Sequence, residues 1–272
     1  MTFHKVLPGC QEGNPEAWRV FVADYTPMAL GLFEVYSSWT PEVCLNNWRR
    51  ALGSLRADDC AILKGFPHQS EREFLVGLRA FLLDWAATRL DPAQDAASPP
   101  APTFEHLGTL LHGLPLLHQE IAFLTLAGYS LVTLEKVFRL TPGVAVERLA
   151  RLRASYGPLL EPRNDRCLWP SAWIAICQAA GRAEQKDCTP LRQLIRILDG
   201  QASWYDKTPA EEHRSKCLHC LQDWVALLEV GAWKRARQPW PEEKVDLLLA
   251  SAGVRAEKAK RSLLARMMGR QR

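Results

Sequence analysis

No stretch of these 272 residues approaches the roughly 20 uninterrupted apolar residues that a membrane-spanning helix requires. The opening Met1-Thr2-Phe3-His4-Lys5-Val6-Leu7-Pro8-Gly9 lacks the apolar core of a signal peptide. A cytoplasmic location with no membrane partner is therefore expected. Alternating β-branched runs bounded by turns are scarce, which argues against a sheet. Eight cysteines spread over this length are too few and too scattered for a disulfide-stapled scaffold, so they read as metal ligands or free thiols. A phosphate-binding glycine loop and a nucleophile paired with a base are also missing, and an enzyme is not expected. There is no internal repeat.

What is present is ordinary in bulk and uneven in placement. Apolar residues make up 47% and charged residues 24%, which excludes a disordered chain, a collagen and a coiled-coil rod. The net charge is only +4, yet Val254 to Arg272 alone carries +6 and the remainder −2. Most of the chain is thus not the strongly basic surface of a committed nucleic-acid binder.

Apolar residues recur at three- and four-residue spacing, so the expected fold class is all-α. Composition divides the chain into two small helical domains, a zinc-binding helical hairpin domain and a basic tail. The first domain spans 1–91. Asn14 caps a helix with Pro15 at its first position, and Trp18, Phe21, Val22 and Tyr25 share one face. Ser70 and Glu73 form a capping box ahead of the stripe Phe74, Leu78, Phe81, Leu82 and Trp85. Residues 92–103 are a Pro/Ala segment expected to hold neither helix nor strand and to act as a linker.

The second domain, 104–162, has a helix-turn-helix pattern. A helix from Leu114-Pro115 stops at Gly128, and Ser130 caps a short helix through Phe138. Thr141-Pro142 then opens a last helix that packs Ala145, Leu149, Leu152 and Tyr156 inward and ends at Gly157. Two short helices joined by a tight turn can present a reading helix to a major groove. They also turn a corner in any small helical domain.

The sharpest chemistry falls in 163–238. His213, Cys217 and Cys220 stand at i, i+4 and i+7, which on one helix is one face. Cys188 precedes the stripe Leu191, Leu194, Ile195 and Leu198, and a turn near Asp199-Gly200 would return it to His213. Cys188, His213, Cys217 and Cys220 are therefore expected to hold a structural Zn²⁺ in a closed Cys₃His site. His219 competes but points to another side of the helix. Cys10, Cys44, Cys60, Cys167 and Cys177 read as core thiols.

The block around Cys188, Leu198-Asp199-Gly200 and His213-x₃-Cys217-x₂-Cys220 resembles the zinc-binding anti-sigma domains of bacteria. The two preceding domains resemble the halves of an extracytoplasmic-function sigma factor. Gly13 to Trp18, and Phe66-Pro67 through Trp85, are similar to its promoter-melting domain. Leu114 to Arg153 is similar to its helix-turn-helix domain. The resemblance implies a transcription regulator that binds RNA polymerase core and promoter DNA, together with a regulatory protein partner. Its built-in zinc domain would cover the sigma surfaces. The implied nucleic-acid residues are Arg148, Arg151 and Arg153; in the tail 239–272 the run of basic charge adds Lys258 and Arg261 as expected phosphate contacts.

Two departures from the family pattern weaken the DNA and polymerase contacts. The family's reading helix tends toward Gly-Thr-Val-Lys-Ser-Arg, where this chain has Gly143-Val144-Ala145-Val146-Glu147-Arg148. A lost lysine and a gained glutamate oppose phosphate contact. The expected polymerase-docking helix, Pro41 to Trp48, holds a single acid. A degenerate sigma scaffold serving as a protein-interaction adaptor is the alternative. The tail is expected to include a short helix over 241–250. Leu263, Leu264, Met267 and Met268 would form the apolar face of a further one.

Overall fold

The computed structural model describes residues 1–66, 69–95 and 100–252. The described residues form helices and no strands. In chain order these are α1 (Phe3–Gln11), α2 (Pro15–Ser37), α3 (Pro41–Lys64), α4 (Glu71–Ala87), α5 (Phe104–Leu111), α6 (Leu116–Ala127) and α7 (Leu131–Phe138). Then come α8 (Val144–Tyr156), α9 (Pro170–Arg182), α10 (Leu191–Leu198), α11 (Trp204–Arg214), α12 (Leu218–Arg235) and α13 (Glu242–Ser251). Capping residues open several of them. Asn14 Oδ1 accepts from Glu16 N at 2.9 Å, Ser70 Oγ from Glu73 N at 3.2 Å and Ser130 Oγ from Thr133 N at 3.3 Å.

The helices fall into two compact units, with the boundary inside α2. One unit comprises Met1–Leu30, Glu42–Phe66 and the described residues from Arg237 onward. Trp18, Phe21, Val22 and Tyr25 are all buried there. Trp18 Nε1 donates to Cys10 O at 3.0 Å, and Trp48 Nε1 to Thr26 Oγ1 at 2.8 Å. α13 is the short helix expected after Pro241. It buries Val245, Leu248 and Leu249, Asp246 pairs with Arg19, and Trp240 N donates to Ala23 O at 2.8 Å.

The other unit comprises Gly31–Pro41 and the chain from residue 67 to Ala236. These units do not coincide with the sequence blocks 1–91 and 239–272. The reason is the direction in which α4 buries its stripe. Phe74, Leu75, Leu78 and Leu82 are buried, and α4 packs on α9 and α12. α12 is the central helix of the unit, packed also on α6, α7 and α11.

The Pro/Ala segment departs from expectation at its start, where Pro92–Asp95 forms a single 3₁₀ turn. Asp91 Oδ1 accepts from Ala93 N at 2.9 Å, and Asp95 caps α9 by accepting from Ser171 N at 3.1 Å and Ala172 N at 2.6 Å. A proline at the start of a turn costs no donor, which is why the segment is ordered there. Gly128 ends α6 at φ 112°, where a Cβ would stand 2.4 Å from the backbone of Arg166 and Cys167. Only glycine fits so close an approach.

Candidate metal centre

α10 and α11 form a hairpin against α12. Leu194, Ile197, Ala210, Trp224 and Leu227 make its core, with Leu191, Ile195 and Leu198 packed around them. The turn falls at Asp199-Gly200, as expected. Asp199 caps α10, and Gly200 takes φ 69°, a left-handed conformation that glycine adopts without strain. This closure brings Cys188 back to the end of α11.

Cys188, His213, Cys217 and Cys220 offer ligand atoms that all lie within 4.8 Å of one another, a group that could hold a metal ion. Cys188 Sγ and Cys217 Sγ are 3.7 Å apart. One expectation needs correcting: His213, Cys217 and Cys220 do not share one continuous helix. α11 ends at Arg214, Ser215 is its C-cap, and Cys217 is the N-cap of α12. The three donors converge from a helix end, a turn and a helix start. Buried contacts hold that break. Gln119 Nε2 donates to Ser215 O at 3.0 Å, and Arg214 pairs with Glu120 at 3.3 Å while lying over the Trp224 ring at 3.8 Å.

The protonation pattern follows from three sulfurs in one place. Hydrogen bonding from the Cys220 thiol pulls Cys217 down to about 4, although burial opposes it. The same coupling, helped by burial, pushes Cys220 up, and burial raises Cys188. Cys188 Sγ also accepts from Gln185 N at 3.2 Å. On the imidazole, Nδ1 lies 3.2 Å from Asp187 Oδ2, whereas Nε2 is buried without a hydrogen-bond partner among the described residues. A carboxylate on one ring nitrogen fixes the tautomer and frees the other nitrogen as a ligand. Asp187 is not legible as a partner in the sequence; its position next to Cys188 is the only signal. His219 is turned away, with Nδ1 at 3.1 Å from Ala180 O and Nε2 at 3.6 Å from Asp223.

A cavity of about 280 Å³ adjoins the cluster, lined by Asp187, Cys188, Tyr205, Asp206 and His213 among others. Beside it Trp204 and Tyr205 are 71% and 82% exposed. The cysteines outside the cluster, Cys10, Cys44, Cys60, Cys167 and Cys177, are all buried.

The nucleic-acid residues expected from the sequence are placed less favourably. In α8, Arg151 pairs with Glu147 and Arg153 with Glu161. Arg148 Nη1 sits 3.5 Å from His118 Nε2, and burial together with Arg148 and Arg151 keeps His118 below its ordinary pKa. The start of α8 also differs from expectation. Gly143 at φ 91° is the N-cap, in place of Thr141, and its N–H donates to Glu135 Oε1 at 2.6 Å. Lys258, Arg261 and the apolar face Leu263, Leu264, Met267 and Met268 lie outside the described residues. Among the described residues no helix is long and apolar enough to cross a membrane.

Comparison with protein-family models, with curated proteins and with solved structures finds no match for this chain.

Proposed function

We propose that the chain is a sigma-factor-like transcription regulator that carries its own zinc-binding, anti-sigma-like hairpin. One observation carries the reading: Cys188, His213, Cys217 and Cys220 converge where the α10–α11 hairpin meets α12, C-terminal to the short α7–α8 pair with α9 between them. Zinc suits the donor set. A tetrahedral ion with Zn–S bonds of about 2.3 Å has S–S edges of about 3.8 Å, and the Cys188–Cys217 separation is 3.7 Å. The free Nε2 of His213 supplies the fourth donor. With four protein donors no coordination position is left for substrate, so the ion serves structure. It would tie Cys188, ahead of α10, to both sides of the α11–α12 break.

The regulatory part of the reading draws on α12. This helix of the zinc block packs on α4, from the promoter-melting-like segment, and on α6 and α7, from the helix-turn-helix segment. A zinc block placed on both would cover surfaces that polymerase and promoter need. The ion pairs Arg151–Glu147 and Arg153–Glu161 favour a second reading, a sigma-derived adaptor that no longer initiates transcription.

Binding of the full chain to purified RNA polymerase core separates the two. A saturable complex that is strengthened by Zn²⁺ removal supports a covered sigma-like regulator. No complex, with or without zinc, leaves the adaptor.

A further inference from the structure

Two of the three arginines of α8, Arg151 and Arg153, are matched by carboxylates, but one corner of the same unit has cations in excess. It lies where the ends of α7 and α12 meet the start of α4. Arg235 closes α12, and its Nη2 donates to the carbonyl oxygens of Lys136 at 3.1 Å and Val137 at 3.3 Å. Those carbonyls belong to the last turn of α7, where helix geometry leaves them without donors and the helix dipole favours a cation. The neighbouring Lys234 pairs with Glu71, which brings Arg72 alongside. Arg139 is the left-handed C-cap of α7, at φ 55°.

The charges act on one another: burial first, then Arg139 and Arg72, hold Arg235 below its ordinary pKa. The nearby acids are committed elsewhere. Glu71 pairs with Lys234, Asp199 with Arg72, and Glu135 accepts from Gly143 N. Lys136 and Arg139 are exposed, with no carboxylate partner among the described residues.

We propose that Lys136, Arg139 and Arg235 form a phosphate-binding corner that holds nucleic-acid backbone beside the α7–α8 pair. The proposal rests on reading that pair as a DNA-binding helix-turn-helix. In such docking the first helix of the pair crosses the phosphate backbone while the second enters the groove. Lys136 and Arg139 stand at the end of that first helix and at the start of the turn. A guanidinium fixed by backbone carbonyls presents its remaining N–H fork without first having to be ordered, and that fork suits phosphate oxygens. The corner thus supplies the phosphate contacts that Glu147 and Glu161 withdraw from α8.

The test is fluorescence anisotropy of the full chain with a short mixed-sequence DNA duplex across a salt series. The double variant K136E/R139E is compared with wild type, with K136A/R139A and with K207E. Lys207 is an exposed lysine on α11 and serves as the charge control. Circular dichroism verifies that each variant is folded. Charge reversal at the corner is expected to weaken duplex binding by about tenfold or more at low salt. The log–log salt slope should shrink by roughly 0.9 for each phosphate that the protein no longer neutralises. K136A/R139A should fall between, and K207E should match wild type.

Wild-type affinity and slope in K136E/R139E would overturn the proposal, as would an equal loss in K207E or no duplex binding by wild type. Polyglutamate bound as tightly as duplex, and released by the same variants, would assign the corner to an acidic protein partner instead. The polymerase assay is separate. A chain that ignores polymerase but shows the expected slope change keeps the corner and loses the sigma-like reading. One that binds polymerase with an unaltered slope loses the corner alone.

Discussion

Arg79 Nε donates to Glu229 Oε2 at 2.7 Å inside the second unit, with the two side chains only 2% and 0% exposed. Tyr36 and Tyr129 complete the pair. Arg79 Nη2 donates to the Tyr36 hydroxyl at 2.6 Å, and both tyrosines donate to Glu229 Oε1, at 2.8 and 2.5 Å. The guanidinium is thus held by Glu229 and Tyr36, and the carboxylate by Arg79 and both phenols. Removing one of them is therefore expensive: a buried charge left alone costs about 3–5 kcal/mol. Glu229→Ala should lose stability on that scale in urea unfolding. Tyr129→Phe, which removes one hydrogen bond, should lose about 1–2 kcal/mol. Equal, small losses for both would mean that the pair is not the keystone its burial indicates.

The candidate metal centre makes a graded prediction. Cys217→Ser should abolish stoichiometric metal binding and loosen the α10–α11 hairpin against α12, because ligand binding and local folding are coupled. Asp187→Asn should keep the metal but weaken it by about 10- to 100-fold, the usual effect of losing a carboxylate behind a ligating histidine. Chelator competition on purified protein measures both. An Asp187→Asn affinity equal to wild type would show that His213 needs no orienting partner.

Two glycines with positive φ should respond very differently to alanine. At Gly128 the new Cβ meets backbone atoms of Arg166 and Cys167 at 2.4 Å, and backbone cannot swing aside. At Gly113, φ 84°, the Cβ meets nothing within 4 Å. Gly113→Ala should cost about 1–2 kcal/mol of backbone strain, and Gly128→Ala clearly more, on the order of 4 kcal/mol or failure to fold. Thermal melts of the two variants side by side decide it.

Glu120 gives a pH signature. Burial lifts its carboxyl to about 7, against the opposing pull of Arg214. The native group thus binds its proton more tightly than the unfolded one, which titrates near 4.3. Its stabilising contribution is complete below that value and is lost as pH rises toward 7. Glu120→Gln should remove this dependence, so the variant should gain on wild type by on the order of 3 kcal/mol between about pH 4.5 and pH 8. A difference that does not change with pH would contradict it.

The starts of α2, α4 and α7, and the grouping of His213, Cys217 and Cys220, are legible in the sequence because each depends on residues close along the chain. Asn14, Ser70 and Ser130 cap as local rules require. Likewise, the i, i+4, i+7 spacing names three side chains that the structure does bring together, even though a turn interrupts the helix at Ser215 to Cys217. What local periodicity does not contain is partnership at a distance. Glu229 lies 193 residues from Tyr36, 150 from Arg79 and 100 from Tyr129. Nothing in any of these segments announces the others. Asp95 reads as part of a linker because its use, capping α9, lies 76 residues away. Apolar stripes say that a face is buried, not against what, and so the sequence places α4 with the first block rather than with α12.

The span between Tyr36 and Glu229 also sets a timetable for the nascent chain. A ribosome working at about 5–20 residues per second needs roughly 10–40 seconds to pass from one to the other, since they are 193 positions apart. During that interval α4, α6 and α7 are made one after another before the helix on which they pack. Arg79 has no Glu229 to meet, and the stripe from Phe74 to Leu82 lacks α12. The second unit therefore cannot close segment by segment as it is made. It must wait for α12, and until then its uncovered faces are open to whichever chaperone or partner reaches them first.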